Sequence, residues 1–115
     1  MQPVKLDVQV QETHNGSPAV AKLAGKLVLE TVNQFLQTMR KNGAAGLVLD
    51  MSEVSFLDSA GVGALVQLFV HRRNQSQKFA LAALTSQGMA VMQVAGLTKL
   101  MPVFTSVAEA SEQAN

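Results

Sequence analysis

Asp58-Ser59-Ala60-Gly61-Val62-Gly63 joins an apolar run to an amphipathic pattern, and its reading decides the fold. Ahead of it, Leu47-Val48-Leu49 is apolar on consecutive positions, as in a strand covered on both faces of a mostly parallel or mixed sheet. Behind it, Val62, Leu65, Val66, Phe69 and Val70 recur at helical spacing and predict one buried stripe. The hexapeptide is therefore a strand-loop-helix junction that presents a hydroxyl, Ser59, at a helix entrance. On local grounds Ser59 reads as an N-cap, although Val62 stands where a capping box would have Glu or Gln. Asp58 reads as a turn residue whose side chain bonds nearby backbone.

Outward from the junction, Val4, Leu6, Val8 and Val10 alternate with polar residues and predict a strand with one buried face. Asn15-Gly16-Ser17-Pro18 marks a turn into a second strand over residues 19–24, most simply an antiparallel hairpin. Val28, Val32, Phe35, Leu36 and Met39 predict a helix to about Lys41, stopped by Asn42-Gly43. The third strand is expected over 46–50 and the junction helix to end near Arg73-Asn74. A fourth strand is expected over 79–84, and a helix capped by Ser86 to run to Ala95, with Gly96 as its stop. Met101-Pro102-Val103-Phe104 reads as a short edge strand that tolerates proline, followed by a helix over 107–112. The order β-β-α-β-α-β-α-β-α describes an α/β fold, a small mixed sheet with about four helices packed against it.

The 115 residues suit a single domain, 1–115, large enough to bury a core. A net charge of +1 sets up no strong field, and five Phe with no Tyr or Trp offer few stacking platforms, so direct nucleic acid binding is disfavoured. The absence of cysteine excludes a disulfide framework, a thiolate metal site and a cysteine nucleophile. The N-terminus lacks the basic start and apolar core of a secretory signal, and no run approaches the length of a membrane span. These features predict a cytoplasmic protein. The sequons at Asn15 and Asn74 then have no glycosylation role.

The order of elements and the residues along it resemble a STAS domain, the fold of bacterial anti-sigma factor antagonists and of the cytoplasmic tails of sulphate transporters. The resemblance rests most specifically on residues 47–65, LVLDMSEVSFLDSAGVGAL. Leu23-Ala24-Gly25-Lys26-Leu27 is similar to the family's strand-two exit, and Ala95-Gly96-Leu97, Val103-Phe104 and Glu109-Ala110 are similar to its C-terminal third. In the antagonist branch, the hydroxyl residue directly after the signature aspartate is phosphorylated by a partner that is both kinase and anti-sigma factor. The resemblance implies that this residue is Ser59. It further implies that the unphosphorylated protein binds a histidine-kinase-like ATPase and frees a sigma factor, that phosphorylation ends the binding, and that a serine phosphatase restores it. Where relatives commonly carry a second hydroxyl, this chain has Ala60, and where many have Gly-acidic-Leu-Asp it has Gly25-Lys26-Leu27-Val28. The alternative the family offers is a scaffold in a signalling complex, or a soluble accessory subunit of a lipid or anion transport system.

The helical wheel adds a docking face. Ala60, Gly63, Ala64, Gln67 and His71 lie opposite the expected stripe, and small side chains let another backbone approach. With Asp58, Ser59 and Gly61, they form the expected partner-binding surface. Gly61 and Gly63 do not make a phosphate loop, because no Lys-Ser/Thr follows and the spacing fits neither nucleotide fingerprint. Asp50 and Glu53 read as solvated turn residues, and His71-Arg72-Arg73 as cations complementing a helix C-terminus or steering an acidic partner. His14 and His71 have no companions that would make a metal site. Met89, Met92, Leu97 and Leu100 read as packing residues. With no Ser-His-Asp or Cys-His arrangement and no cofactor motif, the chain is expected to be its kinase's substrate and not an enzyme.

Overall fold

The computed structural model describes residues 4–12 and 16–113. Strand β1, Leu6–Gln11, runs antiparallel to β2, Ala19–Leu27, with Leu6 opposite Gly25 and Gln11 opposite Val20. Gly16, in the link between them, has φ of 78°, whereas Asn15 and His14 lie outside the described residues. Helix α1, Val32–Arg40, leads to β3, Gly46–Leu57, which lies parallel to β2. Helix α2, Ser59–Asn74, leads to β4, Lys78–Ala82, parallel to β3. Helix α3, Ser86–Val94, a 3-10 turn at Leu97–Lys99, β5, Val103–Phe104, and α4, Val107–Gln113, complete the chain. The five strands lie in the order β1-β2-β3-β4-β5, with β5 parallel to β4, so the expected mixed α/β architecture is the one observed.

Two layers of apolar packing follow from the strand pattern. One face carries Ala21, Leu23, Leu47, Leu49, Phe79 and Leu81 against α1, α2 and α3, and forms the main core. On the other face Val48, Ala80 and Ala82 pack with Ala110 of α4. Strands covered on both sides need apolar side chains in both directions, which explains the unbroken Leu47-Val48-Leu49 run.

The third strand extends through Leu57, well beyond the expected end at Asp50, and the second extends to Leu27 instead of Ala24. In the extension of β3, buried Met51, Val54 and Leu57 are spaced by three, because the pairing with β2 shifts register between Lys22 and Ala24 and again between Gly25 and Lys26. That spacing hides a strand from a search for alternation. The consequence for function is direct: the junction follows a strand end and not a floppy loop.

The buried stripe of α2 is also rotated from the expected one. Gly61, Val62, Ala64, Leu65, Leu68 and Arg72 are buried, Val66 and Phe69 are half-buried, and Val70 is exposed. Small residues and an arginine, counted as surface by hydropathy, line the inner face. Other shifts are local: α1 begins at Val32 with Val28 in the preceding turn, Thr85 and not Ser86 caps α3, and β4 ends at Ala82.

Candidate functional site

Asp58 has extended backbone, φ −103° and ψ −176°, and is itself the N-cap of α2. Its Oδ1 accepts the Gly61 N–H at 2.8 Å, satisfying one orphan donor of the helix, and its Oδ2 accepts the Leu29 N–H at 3.1 Å. Its own N–H donates to the Leu27 carbonyl at 3.4 Å. The N-cap reading of Ser59 is therefore corrected. Ser59 occupies the first helical position, and because Asp58 does the capping, the serine side chain is left exposed.

The turn between β2 and α1 is built to meet this junction. The buried Thr31 hydroxyl donates to the Lys26 carbonyl at 2.8 Å and accepts the Val28 N–H at 3.1 Å. Val28 is thereby turned inward and buried, Lys26 stays exposed, and Leu29 stands 69% exposed beside Asp58. Gly61 makes the close approach possible, since a Cβ there would press on the Leu27 carbonyl oxygen and the Leu57 side chain. This position serves internal packing and is not an accessible contact for a partner.

On the other flank, the Gln87 side chain of α3 acts as a substitute strand. Its Nε2 donates to the Leu57 carbonyl at 2.9 Å and its Oε1 accepts the Leu57 N–H at 3.0 Å. The last residue of β3 is thus fixed immediately before Asp58-Ser59. Beyond Gln87 an open apolar groove of about 540 Å³ runs between α2 and α3, lined by Phe56, Ser59, Val62, Ala90, Val91 and Val94. Phe56 is 45% exposed and Val94 is 91% exposed. Such solvent-facing apolar groups, clustered around one hydroxyl, have the character of a contact surface. Sequence reasoning missed Gln87, Leu29, Phe56 and Val94; the signal for the last three was bulky apolar residues off the periodic pattern.

The expected docking face of α2 divides in two. Ala64 is buried against α1, so it is not part of an accessible surface. Ala60, Ala64 and Gln67 line a cleft with Val32, Leu36 and Arg40 of α1, and the Gln67 Oε1 accepts from the Arg40 guanidinium at 3.1 Å. Gly63 and His71 are half-buried, and apart from its chain neighbours and the surrounding backbone of α2 a side chain starting at Gly63 would meet nothing within 4 Å of its Cβ. The part of the face that stays beside Ser59 is Ala60 and Gly63.

The cations at the far end of α2 have separate fates. Arg72 is 0% exposed, and it donates from Nε to the Lys78 carbonyl at 3.0 Å and from its two terminal nitrogens to Asn42 at 3.2 Å and Ala44 at 2.7 Å. Burial lowers its pKa from the ordinary arginine value. It staples α2 to the starts of β3 and β4 and cannot steer a partner, whereas Arg73 is exposed. Asp50 and Glu53 lie within β3 and do not form a carboxylate pair: Asp50 accepts the Ser52 N–H at 3.0 Å, and Glu53 pairs with Lys22 at 3.2 Å. Among the described residues, no group of three or more His, Cys, Asp and Glu is placed to hold a metal ion, and no helix is long and apolar enough to cross a membrane.

The STAS domain family model matches residues 6–110. An anti-sigma F factor antagonist of Paenibacillus polymyxa is 19% identical over 103 residues, covering 86% of this chain and 88% of that protein. Among solved structures, an anti-sigma factor antagonist from Mycobacterium paratuberculosis superposes with a TM-score of 0.86 at 20% identity, covering 98% of this chain and 97% of the other. The murine solute carrier 26 family member A9 anion transporter gives a TM-score of 0.76 at 21% identity, covering 98% of this chain but 22% of the transporter. A match over most of the length, carried by a sheet and helices in the order described, makes this chain a member of the STAS domain family.

Proposed function

We propose that this protein is an anti-sigma factor antagonist of the partner-switching kind, inactivated by phosphorylation of Ser59. The observation that carries the reading is the division of labour at the junction: Asp58 caps the helix, and the neighbouring Ser59 hydroxyl is exposed at its first position. In its unphosphorylated form the protein binds an anti-sigma factor that is also a serine kinase of the histidine-kinase-like ATPase type, and a serine phosphatase reverses the modification. The protein acts in the cytoplasm as a substrate and binding module, not as a catalyst.

The electrostatics support a switch that acts without unfolding. A phosphate adds about −1.5 to −2 charge, and the helix N-terminus favours an anion. Gly61 and Val62 already donate to Asp58, which leaves Ser59 and Ala60 as the first-turn N–H groups that Asp58 does not engage. Charge and bulk are then added between exposed Leu29 and the Phe56–Val94 groove, where an apolar partner surface would have to desolvate them. Ala60 leaves no adjacent hydroxyl to substitute.

A transport-subunit or scaffold role is the second reading. It is favoured by Lys26 and buried Val28 at the strand-two exit, where many antagonists are acidic. Phosphopeptide mapping of the protein purified from its own cells separates the two. Phosphate on Ser59 is expected for the antagonist, and its absence under every growth condition, with co-purification of a permease or transport ATPase, supports the second.

A further inference from the structure

Strand β1 lies at the edge of the sheet, and among the described residues no strand pairs with its outer side. The Lys26 N–H donates to the Lys5 carbonyl at 3.0 Å, which with the register of the hairpin makes Lys5, Asp7, Gln9 and Gln11 the residues bonded to β2. Leu6, Val8 and Val10 therefore turn their N–H and C=O groups outward. Their side chains lie on the helix-covered face, opposite Gly25, Leu23 and Ala21, yet Val8 is half-buried and Val10 is 37% exposed. Soluble proteins commonly protect such an edge with lysine, proline or a bulge. Leu6–Gln11 has no lysine, no proline and no register shift.

We propose that a second copy of this chain covers the edge, with the two β1 strands pairing antiparallel about a two-fold axis at Val8. The strand is self-complementary in that register. Val8 faces Val8 of the partner subunit and Leu6 faces Val10 of the partner subunit, so the three outward-facing residues of each copy exchange about six backbone hydrogen bonds. The apolar row of each copy continues into the other, and Asp7 falls opposite an uncharged glutamine, Gln9 of the partner subunit. Charge rejects the neighbouring register centred on Asp7, which sets two carboxylates face to face. The register centred on Gln9 keeps Val8 opposite Val10 of the partner subunit but sets Leu6 opposite Glu12 of the partner subunit, so the apolar match at Leu6 is lost. The pairing uses neither Ser59 nor α2, so it stands or falls apart from the phosphorylation reading.

Sedimentation of the full chain from about 10 μM to about 1 mM is expected to show a monomer–dimer equilibrium. Val8→Pro removes an N–H that β2 does not use, so it should give a monomer with the wild-type circular dichroism spectrum. Because the protein has no cysteine, single-cysteine variants report the register. Val8→Cys should oxidise to a covalent dimer about tenfold faster than Gln9→Cys, since the two Cα atoms at the axis of a hydrogen-bonded pair are about 5.5 Å apart. A wild-type protein that sediments as a monomer throughout, or equal oxidation of the two variants, overturns the pairing.

Discussion

The Asp58 carboxylate holds the Leu29 backbone, accepting its N–H at 3.1 Å while the other carboxylate oxygen caps α2 through Gly61 at 2.8 Å. One side chain thereby joins the turn after β2 to the helix that presents Ser59. Asp58→Ala is expected to destabilise the protein by about 1–2 kcal/mol, the range for a lost cap with a second hydrogen bond gone. Hydrogen exchange at the Leu29 amide should quicken in the same variant. Asp58→Asn, which keeps a cap acceptor, should cost less than half as much in urea denaturation.

Gly61 and Gly63, two residues apart, should respond in opposite directions. Gly61→Ala drives a methyl group into the Leu27 carbonyl and is expected to cost about 2–3 kcal/mol, as overpacking does. Gly63→Ala meets open space within a helix and should be neutral or stabilising by up to about 1 kcal/mol. Gly63→Arg should fold normally and lose its partner, because the bulk projects from the helix beside Ser59. Denaturation midpoints and partner affinity, measured on the same preparations, check both statements.

Arg72 should be the most sensitive charged residue in the protein. Arg72→Met strands the carbonyls of Asn42, Ala44 and Lys78 and is expected to cost about 3 kcal/mol or more. Arg73→Met, on the exposed side, should stay within about 0.5 kcal/mol of wild type. Equal effects in urea denaturation would show that the guanidinium staple contributes little.

Gln87→Leu removes both bonds to Leu57 while roughly keeping the volume, and is expected to cost about 1–2 kcal/mol. The Leu57 amide should exchange faster, and the junction between β3 and α2 should become more readily cleaved by protease. A variant with unchanged exchange at Leu57 would mean that β3 fixes its own end.

The element order was legible in the sequence because alternation in β1 and helical spacing in α1 reflect simple one-sided burial. The run Leu47-Val48-Leu49 announced a two-faced strand because burial on both sides leaves no polar position in the pattern. What stayed hidden depended on departures from period: the register shifts that let β3 continue to Leu57, and the inward small residues Gly61 and Ala64 of α2. Ser59 could be picked out as a presented hydroxyl, but its exposure depends on Asp58 taking the cap, which two adjacent polar residues leave undecided. Gln87 and Thr31 were illegible because their bonds reach backbone atoms of other elements. Arg72 was read as a surface cation because hydropathy gives no sign that three carbonyls converge on it.

Affinity capture from lysate of the source organism, with wild type, Ser59→Ala and Ser59→Asp as baits, tests the phosphoswitch most directly. Wild type and Ser59→Ala are expected to retain the same histidine-kinase-like anti-sigma factor, and Ser59→Asp to lose it. Retention of one transport ATPase or permease by all three baits would contradict the antagonist assignment and its control at Ser59.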